Sequence, residues 1–265
     1  EFSFDDFIVL KILRDGQYEK DQLIEHSMTK KKYFLRKISK TILSQTGFIN
    51  SSLDNKDLIV SIKHPYLASI IYTLATNTSI FLCTNYFPIG NLFDRIHREE
   101  NPLPIEAIKF YTAELCESIG YLHSIGIIHG DLKPENIFID DDGNLRVFGF
   151  GLHKYNENYV NCKPDYAAPE IIKGCNYNAS IDWWSLGVIV YEMIFQKTPF
   201  YNNEMSVMLN NIVSNEIVFP EKEDLSKIEG LTDVCLEFIN SLLVKNPDYR
   251  LGSNDDFKMI ENHPF

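Results

Sequence analysis

What the sequence lacks narrows its class first. No apolar run reaches the roughly 20 residues a membrane-spanning helix needs. The most apolar stretch, 183–195, is short and carries Glu192, so a buried helix and no membrane span are expected. No charged segment followed by an apolar one opens the chain, which is the pattern a secretory leader would need. Cysteine is sparse: Cys83, Cys116, Cys162, Cys175 and Cys235 are scattered, odd in number and without metal-ligand spacing. That excludes a disulfide framework, offers no metal site, and suits unpaired thiols in a reducing, cytoplasmic setting. Basic residues are in deficit, 25 Lys and Arg against 37 Asp and Glu for a net charge of −12, which argues against nucleic-acid or anionic-membrane partners. Internal repeats and long Pro/Gly/Ser linkers are absent as well.

What is present is apolar sequence from end to end, enough in 265 residues for a large core in one two-lobed domain or two small ones. The stretches Ile8-Val9-Leu10-Lys11-Ile12-Leu13 and Tyr33-Phe34-Leu35, separated by turn residues around Asp15-Gly16, predict a small antiparallel sheet. Residues 51–62 have a weakly helical period through Leu53, Ile59 and Ile62, and 66–87 alternates again as strands. From Pro104 the pattern changes. Ile105, Ile108, Tyr111, Leu115, Ile119 and Leu122 predict an amphipathic helix with proline at its start. Strands are expected at Ile137–Ile139 and Leu145–Val147, around the turn Asp140-Asp141-Asp142-Gly143-Asn144. Further helices are expected near 182–195, 205–213 and 234–244, and function is sought between the lobes.

The segment His129-Gly130-Asp131-Leu132-Lys133-Pro134-Glu135-Asn136 resembles the catalytic loop H-R-D-x-x-x-x-N of eukaryotic protein kinases, with Gly130 in place of the arginine. Asp165-Tyr166-Ala167-Ala168-Pro169-Glu170 is similar to the family's A-P-E motif. Asp182-Trp183-Trp184-Ser185-Leu186-Gly187 and Asn246-Pro247-Asp248-Tyr249-Arg250-Leu251-Gly252 follow in the family's order. The double tryptophan, the R-L-G element and His263-Pro264-Phe265 resemble the AGC group, which includes the cyclic-AMP-dependent kinases, although the hydrophobic-motif tail usual there is expected to be missing. The resemblance covers essentially the whole chain and implies an α+β kinase-like fold. A small β-rich N-lobe with one helix would span 1–87 and a larger, mainly helical C-lobe 88–265, together one protein kinase domain. It also implies that Glu170 pairs with Arg250 and that Asp182 braces the catalytic loop, both scaffold roles that say nothing about activity.

Phosphoryl transfer asks for a glycine loop, a strand lysine held by a helix glutamate, metal ligands and a carboxylate facing the substrate hydroxyl. Measured against the resemblance, most of the upper set is altered. Arg14-Asp15-Gly16-Gln17-Tyr18-Glu19 stands where the family has G-x-G-x-x-G, leaving only Gly16, after Leu13, in the nucleotide pocket; an ordinary hairpin turn fits the stretch equally. Arg36 takes the strand-lysine position and keeps the charge without the geometry. Lys37 faces the other side of the strand, Lys20 is a remote substitute, and the helix glutamate is replaced by Asn55. Phe34, where the family has alanine, is expected to point into adenine space, the alternative being harmless packing in the sheet. Asp21 brings a charge to an apolar slot, costly if unpaired. Gly149-Phe150-Gly151 matches D-F-G without its aspartate, and Asn136 alone is a poor magnesium ligand. A carboxylate restored at Gly149 is expected to raise any transfer greatly.

Asp131, Lys133 and Asn136 match the family's base, phosphate contact and second metal ligand. They either serve catalysis or persist by bonding the loop to itself. Between Gly149 and Asp165 there is no serine or threonine; Tyr159 falls where the activating threonine would be, and Gly130 removes the arginine that would pair with its phosphate. The lobe-aligning column is expected in Ile59, Ile70, His129 and Phe150, and Phe34 is expected to fill the adenine layer with Leu92 and Phe138. Glu135 and Glu192, with Asn91 replacing a third carboxylate, either hold a basic peptide weakly or are plain carboxylates. The resemblance with these departures implies a pseudokinase without cofactor, acting on a protein partner. The alternatives are a divergent serine/threonine kinase using ATP and magnesium with Asp131 as base, and a nucleotide-binding module without turnover.

Overall fold

The computed structural model describes residues 4–16, 19–41, 60–98, 102–150, 164–253 and 257–265. Five antiparallel strands come first: β1 Phe7–Asp15, β2 Glu19–His26, β3 Lys32–Ser39, β4 Tyr72–Ala75 and β5 Ser79–Asn85, in the order β1-β2-β3-β5-β4. Strand β3 lies at the centre, and its alternation explains its burial on both faces. Tyr33 and Leu35 join Ile24 and Cys83 on the outer face, while Phe34 and Ile38 enter the main core beneath. Lys37 shares the outer face and stays exposed, its ammonium 6.0 Å from the Phe81 ring centre. Edge strand β1 carries exposed Ile8, Val9, Leu10, Ile12 and Leu13 and is broken by two register shifts, which spoil it as a template for strand addition.

The strand pattern over 66–87 resolves into β4 and β5 only. Residues before β4 spend their hydrogen bonds elsewhere: Tyr66 O accepts from Val147 N and Ala68 N donates to Val147 O, each at 2.8 Å. The expected helix over 51–62 lies outside the described residues except for 60–62.

The rest is mainly helical: α1 Leu92–His97, α2 Ile105–Ser124, α3 Pro169–Ile172, α4 Ser180–Phe195, α5 Met205–Ser214, α6 Lys222–Leu225, α7 Asp233–Leu242 and α8 Phe257–Glu261, with a β6 Ile137–Ile139 and β7 Leu145–Val147 hairpin. Helix α2 buries Ile105, Ile108, Leu115, Ile119 and Leu122, as its period predicts, with Pro104 at the N-cap rather than inside the first turn. Every residue from Ser180 to Ile194 of α4 is buried, so this helix has no polar face and forms the centre of the lobe. Both tryptophans of the chain sit on it, Trp183 stacked on Phe257 and Trp184 on Phe200. One hydrophobic core runs from Phe34 and Ile38 under the sheet through Phe138 to Phe238. No helix among the described residues is long and apolar enough to cross a membrane.

Candidate active-site cleft

The loop after α2 is pinned from below. Asp182, on α4, accepts from His129 N at 2.8 Å, Gly130 N at 2.9 Å and His123 Nε2 at 2.8 Å. Burial alone would raise its pKa, but the hydrogen bond and charge of His123 outweigh that and hold it below the usual aspartate range. Gly130 adopts φ +79, a left-handed backbone that glycine takes without a Cβ penalty.

This brace brings the three expected catalytic residues together. Lys133 Nζ lies 2.9 Å from Asp131 Oδ1 and 2.6 Å from Oδ2. Asn136 Nδ2 donates to the Asp131 carbonyl at 2.8 Å and to its Oδ2 at 2.9 Å. Burial works against the lysine's charge, but Asp131 prevails and the lysine pKa is raised.

The carboxamide oxygen of Asn136 faces upward and is taken: Arg36 Nη1 donates to it at 2.7 Å. The same guanidinium grips Asp21 with a fork, Nε to Oδ1 at 2.8 Å and Nη2 to Oδ2 at 3.0 Å. Asp21 and Arg36 lie directly opposite in the β2–β3 register, so the sheet itself sets the pair. Burial opposes the arginine's charge, yet Asp21 and then Glu19 more than compensate and raise its pKa. The aspartate expected to be costly in its apolar slot is therefore paired, and Arg14 adds a second contact with its Nε 3.1 Å from Oδ2.

Phe34 is buried and meets Phe138 and Phe148 edge-on, with ring centres 4.8 and 5.3 Å apart, and Phe138 in turn stacks on Phe87. Packing in the core beneath the sheet, not on its outer face, is thus where the ring goes, and Leu92 lies in the same core. A cavity of about 470 Å³ remains in the cleft, lined by Leu13, Arg14, Asp21, Phe34, Phe87 and Phe138 among others, so the aromatic cluster forms a wall of the slot without filling it. Gly16 lies away from that lining and its N–H donates to Glu19 O at 2.9 Å across the β1–β2 connection, while Arg14 pairs with Glu19 and Lys20 with Asp15. Lys20 is thereby committed to the hairpin.

These groups do not fit a metal-bound triphosphate. Magnesium requires hard charged oxygens in an octahedron. Here position 149 is glycine and the Asn136 oxygen accepts from Arg36. The cations Arg14, Arg36 and Lys133 are already matched by Glu19, Asp21 and Asp131, so little positive charge is left over for phosphates.

Peripheral expectations fare unevenly. Glu170 and Arg250 form a buried two-bond pair at 2.7 and 3.0 Å. Glu192 already has Tyr166 Oη at 2.7 Å and His97 Nε2 at 2.8 Å on its two oxygens, and Asn91 caps α1 by accepting from Asp94 N. Ile70, His129 and Phe150 of the lobe-aligning column are buried. Asn55, Ile59, Tyr159 and Cys162 lie outside the described residues. Two features are not expected from the sequence: Phe148 as part of the aromatic cluster, and the Asp21–Arg36 pair. The second had a signal, since two departures from one family pattern facing each other across a hairpin can compensate.

A sequence model described as the protein kinase domain matches residues 7–265. The chain belongs to the protein kinase domain family. Similar proteins include the RAC serine/threonine-protein kinase of Drosophila melanogaster, 34% identical over 270 residues, covering 99% of this kinase domain and 43% of that protein. cAMP-dependent protein kinase type 3 of Saccharomyces cerevisiae is 31% identical over 274 residues, covering 100% and 65%. Serine/threonine-protein kinase Sgk3 of Rattus norvegicus is 33% identical over 267 residues, covering 98% and 52%. The kinase domain is of AGC type, and it spans between 43% and 65% of the length of these relatives.

Proposed function

We propose that this AGC-type domain is a pseudokinase that acts as a scaffold or allosteric partner for another protein. The observation that carries this reading is the Arg36–Asn136 hydrogen bond of 2.7 Å above a glycine at position 149, which leaves neither metal ligand of the family in working form. The cluster of Phe34, Phe138 and Phe148, which narrows the slot where the family keeps a small residue, supports it from the adenine side. Cys83, Cys116, Cys175 and Cys235 are free thiols, in keeping with a cytoplasmic setting.

Thermal-shift titration with ATP, with and without magnesium or manganese, tests the reading, because a ligand that binds only the native state raises its melting temperature. No shift is expected, and no labelled phosphate should pass to a peptide. A magnesium-dependent shift with transfer abolished by Asp131→Ala would overturn it. That outcome belongs to a second reading, a divergent serine/threonine kinase such as the relatives are named. The presence of Asp131 and Lys133 side by side on the catalytic loop favours it. A metal-independent shift would point instead to a nucleotide-binding module.

A further inference from the structure

We infer that the Arg36 guanidinium is a built-in latch that holds the two lobes closed, bridging sheet and catalytic loop in the place of a metal-bound nucleotide. Arg36 and Asn136 are 100 positions apart in the chain and come from opposite sides of the cleft. On the sheet side the guanidinium cannot swing, because the Asp21 fork uses two of its N–H groups and Asp21 sits across from it in the β2–β3 ladder. On the loop side Asn136 cannot flip its amide: Nδ2 donates to both the carbonyl and the carboxylate of Asp131, and reversal would set oxygen against oxygen. The acceptor is thus presented to Arg36 by the loop's own bonding.

Water has little access to the joint. Arg36 is 1% exposed, and its charged carbon lies 5.0 Å from the Phe148 ring centre and 5.7 Å from that of Phe34. Opening the cleft would therefore cost a hydrogen bond to a charged group together with the edge-on contacts of Phe34. A metal seeking the Asn136 oxygen would have to displace the guanidinium. Ligand entry and closure compete in this chain, whereas in an active kinase the nucleotide sits between closed lobes. The latch rests on the same Arg36–Asn136 contact as the pseudokinase reading, but phosphate transfer would count against that reading alone, whereas an unchanged shape and loop exchange would count against the latch.

The test is small-angle scattering and hydrogen–deuterium exchange on the whole chain without added ligand. Arg36→Met alone strands Asp21 and could unfold the sheet, so the main variant is Asp21→Leu with Arg36→Met, which removes both charges. It should enlarge the radius of gyration and speed exchange of the amides of residues 131–136 roughly tenfold or more, with α4 amides unchanged. If that variant fails to fold, Arg36→Lys keeps the charge beside Asp21 but lacks the fork's further donor, and it should speed the same amides. A folded variant as compact as the parent, with unchanged exchange in the loop, would overturn the latch.

Discussion

A Cβ built on Gly149 would lie 3.4 Å from Arg36 Nη1 and 3.8 Å from Asn136 Nδ2. The position that holds the family's metal carboxylate thus looks onto a guanidinium, and the backbone there has φ +89, which an aspartate tolerates only at some cost.

Gly149→Asp alone should accordingly give Arg36 another carboxylate and leave ATP binding unchanged, in contrast to the gain expected from sequence. Combined with Arg36→Lys and Phe34→Ala, it should produce a magnesium-dependent rise in melting temperature on adding ATP. Differential scanning fluorimetry of the parent, the single and the triple variant checks this; a shift in the single variant would contradict it.

Phe34→Ala should cost about 3–5 kcal/mol in urea unfolding, since the ring's neighbours Phe138 and Phe148 cannot collapse fully into the space. A small flat aromatic such as indole should bind the resulting cavity and raise the variant's melting temperature while leaving the parent's alone.

Asp182 gives a pH dependence of known sign. Its folded pKa lies below the ordinary 3.8, so its stabilisation is complete above the unfolded value and is lost as pH falls through the folded one. Asp182→Asn should lower stability at neutral pH and flatten the acid limb of a stability-against-pH curve. An equally steep limb in the variant would count against the assignment.

Arg250 and Glu170, 1% and 5% exposed, are a buried pair, and breaking one side leaves an uncompensated charge. Arg250→Met should cost about 3–5 kcal/mol, and adding Glu170→Leu should recover much of it. Equilibrium denaturation of the full double-mutant cycle measures the coupling.

The fold was legible where a period was long or a turn was clearly marked. Helices α2 and α4 and the β6–β7 hairpin stand close to where their apolar pattern puts them, whereas α1, six residues long, is too short to have a readable period and starts from the Asn91 cap. The lower half of the cleft was legible because its contacts are local: Asp131, Lys133 and Asn136 lie within one loop. What the upper half does was not. Arg36 could be recognised as a misfit, but its reach to Asn136 depends on how far apart the lobes stand, and no spacing in the sequence encodes that. Asp21 by itself looks like a liability, and only its place opposite Arg36 in the β2–β3 ladder makes it a partner.

Trp183 and Trp184 are neighbours on one fully enclosed helix, and the chain has no other indole. Its intrinsic emission is therefore a private reporter of the lower lobe. A fluorescence melt will follow the collapse of that helix's surroundings and stay flat through hinge motion of the strands, so emission and scattering recorded together would separate denaturation from a jaw-like movement.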